Sequence, residues 1–225
     1  MSIASGARRA SAAVLLLTLA VGLALEWAPT DADQGLSQRI FYLHVPVALA
    51  AYACFVTAAW KALRVLATGA SRADVESAVA VHVGTIFGVL TLVTGSIWAR
   101  ISWGVWWTWT ENQLVLFLVI FLFYSAYFML RYSIPSGSAR ARCSAVFALL
   151  GVVLIPVSFL AIRLAANFIH PVVFTQRGPQ MAPSMLVAFA VSLAGMLALA
   201  SALYALEVDG KLLDRRLRML RERTA

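Results

Sequence analysis

Six long apolar runs dominate the chain and leave only short polar segments between them. A membrane-spanning helix needs about 20 predominantly apolar residues, because the hydrocarbon core of a bilayer is roughly 30 Å thick. The runs lie at about residues 10–25, 41–60, 75–98, 113–130, 143–162 and 184–206. This pattern predicts an all-α polytopic membrane protein with six transmembrane helices, forming a single domain over residues 1–225.

Composition argues against a separate soluble domain. Hydrophobic residues make up 62% of the 225 residues and charged residues only 12%, whereas soluble domains average about 45–50% and about 25%. The first apolar run follows Arg8 and Arg9 and resembles a signal peptide, but its flank at residues 26–29 is a poor cleavage site. We therefore expect a retained first transmembrane helix.

The basic residues predict the orientation of the helices. With six spans, 14 of the 18 Lys and Arg residues lie on the side that holds both termini, and four lie on the other side: Arg39, Arg100, Arg163 and Arg177. Basic residues accumulate in cytoplasmic loops, so both termini should be cytoplasmic. Within the basic cytoplasmic tail, residues 207–225, the segment from Lys211 to Arg223 is amphipathic and should lie along the membrane surface. This distribution accounts for the net charge of +8 without a nucleic-acid partner.

Five of the seven tryptophans lie within residues 98–112, on the predicted extracytoplasmic side. If this stretch is helical, Trp103, Trp106, Trp107 and Thr110 share one face and form a nearly flat aromatic surface. Aromatic residues commonly form belts at the membrane interface. The residues themselves therefore leave two interpretations open, an interfacial anchor or a surface for a flat ligand.

Two of the three histidines lie on the same predicted side as the tryptophans. His44 is at the entrance of the second run, and His170 lies in the extracytoplasmic loop 163–183. Imidazole is the common axial ligand of haem iron, but it also serves as a hydrogen-bonding partner with no metal present. His82 lies inside the third run, in the other half of the membrane, where we expect it to bond a neighbouring helix.

Other chemistries have little support in the sequence. Cys54 and Cys143 form no Cys-x-x-Cys motif, which argues against a redox pair and against covalent c-type haem attachment. The chain has no phosphate-binding loop, no His-Glu-x-x-His and no nucleophile elbow, so we expect no enzymatic activity. Asp74 and Glu76 lie only at the edge of the third run, which disfavours an ordinary proton-coupled carrier.

Two segments resemble the cytochrome c maturation protein C family, whose members handle haem in the inner membrane. Residues 39–46, Arg-Ile-Phe-Tyr-Leu-His-Val-Pro, are similar to the segment that carries the family's first conserved histidine. Residues 92–98 and 103–109 are similar to its tryptophan-rich "WWD" signature and the lead-in to it. The resemblance extends from about residue 39 to residue 206. The signature normally ends in aspartate, whereas this chain has Thr110 followed by Glu111.

The resemblance implies non-covalent binding of haem b on the extracytoplasmic face of a bacterial inner membrane. It implies His44 and His170 as axial ligands of the haem iron, with Trp103, Trp106, Trp107 and Trp109 as the aromatic surface. Haem would pass to a membrane-anchored haem chaperone, protein E, with the ABC-type proteins A and B and the small protein D as further partners. Two alternatives stay open, a haem lyase subunit of another maturation system and a transporter or permease component whose tryptophans form only an interfacial belt.

Overall fold

The computed structural model describes residues 3–31, 34–164, 174–175 and 178–224. Within them the helices are α1 (Ile3–Gly22), α2 (Phe41–Thr68), α3 (Ser71–Trp103), α4 (Asn112–Ser133), α5 (Ser138–Leu164) and α6 (Pro183–Thr224). A π-helical turn, Leu23–Trp27, extends α1, and a 3-10 turn, Leu36–Ile40, leads into α2. A two-residue antiparallel hairpin, β1 (Phe174–Thr175) and β2 (Gly178–Pro179), precedes α6. All six helices are long and apolar enough to cross a membrane, which confirms the predicted all-α polytopic architecture.

The helices continue beyond the apolar runs that predict them. Hydropathy marks the thickness of the bilayer, whereas a helix continues until its backbone is capped or broken. The largest difference is in α6, which runs without a break for 42 residues and is therefore about 63 Å long. The basic tail continues the sixth span as part of one helix, and its position along the membrane surface stays a prediction.

Small residues bring α2 and α3 close together at the centre of the bundle. Ala50, Ala58 and Ala62 are fully buried on α2. On α3, the Ser77 hydroxyl donates a hydrogen bond to the Ala58 carbonyl at 2.9 Å. Gly84 faces Phe55 so closely that an added Cβ would lie 2.6 Å from Cε1 of that ring. Close approach through small residues is the usual packing mode of membrane helices, because lipid supplies no hydrophobic drive for their association.

Helices α1 and α6 run antiparallel. Gly6 packs against Leu206 near one end of the bundle, and Leu17 packs against Gly195 further along. At the opposite end, Ala24 belongs to one buried cluster with Ala188. The start of α1 and the C-terminal half of α6 therefore lie at the same end of the bundle, where the charged residues described next also lie.

We call this the ionic end and define it by Lys61, Arg72, Asp74, Glu76, Arg131 and Arg215. The Arg131 guanidinium donates to both carboxylate oxygens of Asp74, at 2.7 and 2.8 Å, and Arg215 donates to Asp74 at 3.4 Å. Lys61 and Arg72 contact Glu76 at 2.8 and 2.9 Å. These ion pairs join α2, α3, α4 and α6. The cytoplasmic location of this end stays a prediction from the basic residues.

His82 bonds a neighbouring helix, as predicted. Its Nδ1 lies 2.8 Å from Oε2 of Glu207 on α6. The His82 side chain is 48% exposed, however, so it lies on the flank of the bundle and not in its interior. The contact is a surface link between α3 and α6 near the ionic end.

Candidate functional site

His44 and the tryptophan stretch lie at the end opposite the ionic end, because α2 and α3 run antiparallel. We call this the histidine end and define it by His44 and residues 98–112. Phe41 and Tyr42, at the start of α2, pack there in one cluster with Phe189, near the start of α6. The predicted proximity of His44 to the tryptophans is thus present in the fold.

The imidazole of His44 is held against α3. Its Nδ1 lies 2.9 Å from the Oγ1 of Thr94, a hydrogen-bonding distance. The absence of a side chain at Gly95 makes room for the ring, because a Cβ there would lie 2.9 Å from its Cε1. Thr94 and Gly95 lie in the lead-in motif at residues 92–98, but their residue types alone predict no role for them. Their contact with His44 depends on the relative rotation of α2 and α3, which the sequence pattern does not give.

The tryptophan stretch is not one helix, so its predicted helical face is wrong. Helix α3 ends at Trp103, and Gly104 adopts a left-handed conformation with φ 77°. Glycine is the residue that tolerates this conformation at a helix end without steric cost. The Arg100 guanidinium donates to the Gly104 carbonyl and fixes the exit of the chain. Residues 104–111 then form an irregular segment that leads to α4.

The indole rings form two edge-to-face pairs instead of one flat surface. Trp98 and Trp103 have ring centroids 4.9 Å apart at an interplanar angle of 75°. Trp107 and Trp109 are 5.7 Å apart at 70°. Aromatic pairs favour such T-shaped arrangements because the positive ring edge meets the negative ring face. The predicted coplanar arrangement is therefore absent, and individual ring faces are presented instead.

Exposure separates the tryptophans into two groups. Trp98 is buried, and Trp103 and Trp107 are half-buried. Trp106 and Trp109 are 60% and 71% exposed. These two residues therefore form the accessible aromatic surface of the loop.

The position of the family aspartate is exposed, whereas the next residue is buried. Thr110 lies on the surface, and its hydroxyl is 2.8 Å from that of Thr108. Glu111 is only 2% exposed, and its carbonyl accepts hydrogen bonds from the amides of Leu114 and Val115 at the start of α4. Glu111 therefore caps α4 through its backbone and does not present a carboxylate on the loop surface.

Arg39 anchors the same end of the bundle. Its guanidinium donates to the carbonyl of Leu25, which ties the start of α2 to the end of α1. From the sequence, Arg39 is expected to be a surface charge. In the structure its hydrogen bond links two helices.

The second predicted ligand, His170, lies outside the described residues. The structure therefore places His44, Trp103, Trp106, Trp107 and Trp109 at one end and leaves the pairing of the two histidines a prediction. Among the described residues, no group of three or more His, Cys, Asp or Glu side chains is arranged to hold a metal ion.

The fold and the site define a class, multi-pass helical membrane proteins with an aromatic loop and a histidine at one end. Comparison with known proteins identifies the family. The profile of the "Heme exporter protein C" family matches residues 3–223. The chain therefore belongs to the heme exporter protein C family.

Curated relatives agree with the profile. The chain is 32% identical over 148 residues to "Heme exporter protein C" of Escherichia coli K12, covering 66% of this chain and 60% of that protein. It is 29% identical over 211 residues to the protein of that name from Bradyrhizobium diazoefficiens, covering 93% of this chain and 80% of that protein. A third relative, from Paracoccus denitrificans, is 33% identical over 140 residues, or 62% and 56% of the two chains. The chain thus spans about 60% of the length of the Escherichia coli relative.

Proposed function

We propose that this protein binds haem non-covalently at the histidine end and delivers it during cytochrome c biogenesis. The main support is the packing of the His44 ring against Thr94 and Gly95 of α3, at the same end as the tryptophan loop. Membership of a family whose relatives are named heme exporters supports haem as the cargo.

The described residues suit a haem ligand in three respects. His44 supplies an imidazole, the usual axial ligand of haem iron. Gly95 lets that ring pack directly against α3. Trp106 and Trp109 offer exposed indole faces to a flat, largely apolar macrocycle.

In the proposed site, His44 and His170 would hold the haem iron through their imidazoles. Trp103, Trp106, Trp107 and Trp109 would form the aromatic surface against which the macrocycle packs. Because no acid, base or nucleophile is assigned a role, the protein holds and transfers haem without catalysing a bond change. We place this site on the extracytoplasmic face of a bacterial inner membrane, where haem passes to the chaperone protein E with proteins A, B and D as partners.

A haem titration of the purified protein tests the proposal. We expect a Soret band in the wild-type protein and weaker bands in His44→Ala and His170→Ala. Unchanged haem affinity in both variants would refute the site. Monodisperse behaviour of each variant in detergent is the control for folding.

The exposure of Trp106 and Trp109 also suits a second function, a membrane permease component with an interfacial aromatic belt. The double variant Trp106→Ala/Trp107→Ala separates the two interpretations. An interfacial belt predicts altered insertion or stability with unchanged haem binding. Haem delivery predicts weaker haem binding at full membrane insertion.

A further inference from the structure

We propose that Thr94 is a positioning residue that fixes the tautomer and orientation of the His44 ring, so that Nε2 is the nitrogen that ligates haem iron. This inference rests on the proposed function, since it concerns the haem ligand. It adds a second residue, one that does not touch haem, to the binding unit.

The hydroxyl proton of Thr94 already has acceptors on its own helix. Thr94 Oγ1 lies 2.8 Å from the Leu90 carbonyl and 3.3 Å from the Thr91 carbonyl. A hydroxyl has one proton to donate and two lone pairs to accept with. With that proton assigned to the helix backbone, Thr94 can meet His44 as an acceptor.

We therefore assign the Nδ1–H of His44 as the donor in the 2.9 Å contact. In a neutral imidazole only one ring nitrogen carries a proton, so the lone pair is on Nε2. Metal-ligating histidines commonly donate their other N–H to an oxygen acceptor, and this bond fixes the ring and raises its basicity. Thr94 fills that role with a backbone-anchored hydroxyl.

Gly95 provides the second contact that holds the His44 ring. The Cε1 edge of the His44 ring lies over this glycine, next in sequence to the residue that accepts the Nδ1–H. The ring is held by a hydrogen bond at one atom and by steric contact at another. Rotation about the Cβ–Cγ bond of His44 would break the first and strain the second.

The substitution Thr94→Val tests the hydrogen bond, because valine keeps the shape and loses the acceptor. We expect haem affinity to fall about 10–100-fold, the usual cost of removing an outer-shell partner. We also expect the haem reduction potential to rise, because a histidine that donates no hydrogen bond gives less electron density to ferric iron. Thr94→Ser should restore both properties.

Thr85→Val is the matched control. Thr85 lies on the same helix and bonds the carbonyl four residues earlier, at 2.8 Å, as Thr94 does. Thr85→Val therefore measures only the effect on stability of losing such a hydroxyl–backbone bond. Its haem affinity and haem reduction potential should match those of the wild-type protein. Equal effects of Thr85→Val and Thr94→Val would overturn the positioning role.

Chemical rescue gives a measurement that does not depend on folding of Thr94→Val. In His44→Gly, added imidazole should restore the haem spectrum better than 1-methylimidazole, which has no N–H to donate to Thr94. Equal rescue by both compounds would overturn the inference. If His44→Ala loses haem while Thr94→Val keeps wild-type affinity and potential, only the role of Thr94 is refuted. Full haem binding by both His44→Ala and His170→Ala would refute both proposals.

Discussion

At the ionic end, charged side chains cross-link four helices, whereas at the histidine end, aromatic and backbone contacts hold the chain. Asp74 joins α3 to Arg131 on α4 and to Arg215 on α6. At the other end, Arg39 and Arg100 donate to backbone carbonyls, and indole rings remain exposed. Ion pairs thus link the helices at one end, and ring faces are accessible at the other. Substitutions at the two ends should accordingly affect different properties, stability at the first and haem binding at the second.

The largest loss of stability should follow Asp74→Asn. The substitution leaves the buried guanidinium of Arg131 without its carboxylate partner, and breaking a buried pair costs about 3–5 kcal/mol. Thermal unfolding in detergent measures this loss. The haem affinity of the protein that stays folded should be unchanged.

The double variant Asp74→Leu/Arg131→Met distinguishes the effect of the orphaned charge from that of the lost ion pair. Replacing both partners by apolar residues removes the uncompensated charge, so most of the stability should return. A double variant as unstable as Asp74→Asn would mean that the ion pair itself, and not the orphaned charge, determines stability.

Alanine at two glycines of α3 should separate packing from ligand binding. A Cβ at Gly84 would overlap Phe55, and a Cβ at Gly95 would overlap His44. Such overpacking costs about 1–3 kcal/mol, so both Gly84→Ala and Gly95→Ala should unfold at lower temperature. Only Gly95→Ala should also weaken haem binding in a titration. Equal haem affinities in the two variants would contradict the proposal that the contact between Gly95 and His44 matters for haem binding.

The smallest effect belongs to the exposed extension of α6. Arg218 pairs with Asp214 one helical turn away, and both side chains are well exposed. Such pairs contribute about 0.5 kcal/mol or less. Arg218→Ala should therefore leave thermal unfolding and haem binding near wild-type values, measured beside Asp74→Asn. A loss comparable to that of Asp74→Asn would show that the extension contributes to the ionic end.

The six spans and the proximity of His44 to the tryptophans were predictable from the sequence, because helix length, hydropathy and alternation of direction determine them. The contact between His44 and Thr94 was not predictable, because it depends on the rotation of α2 about its axis relative to α3. The pair Asp74–Arg131 joins residues 57 positions apart, and no local pattern reports such a contact. Gly104 is a local sequence signal for the end of α3. The helical spacing of the tryptophans instead favoured a continuous helix there, which was wrong.

Haem titration of His44→Ala beside His82→Ala tests the central claim most directly. Both variants remove one imidazole from this bundle, His44 at the histidine end and His82 near the ionic end. If haem binds at the histidine end, His82→Ala keeps the wild-type Soret band and His44→Ala loses most of it. A Soret band that persists in His44→Ala and disappears in His82→Ala would contradict the claim.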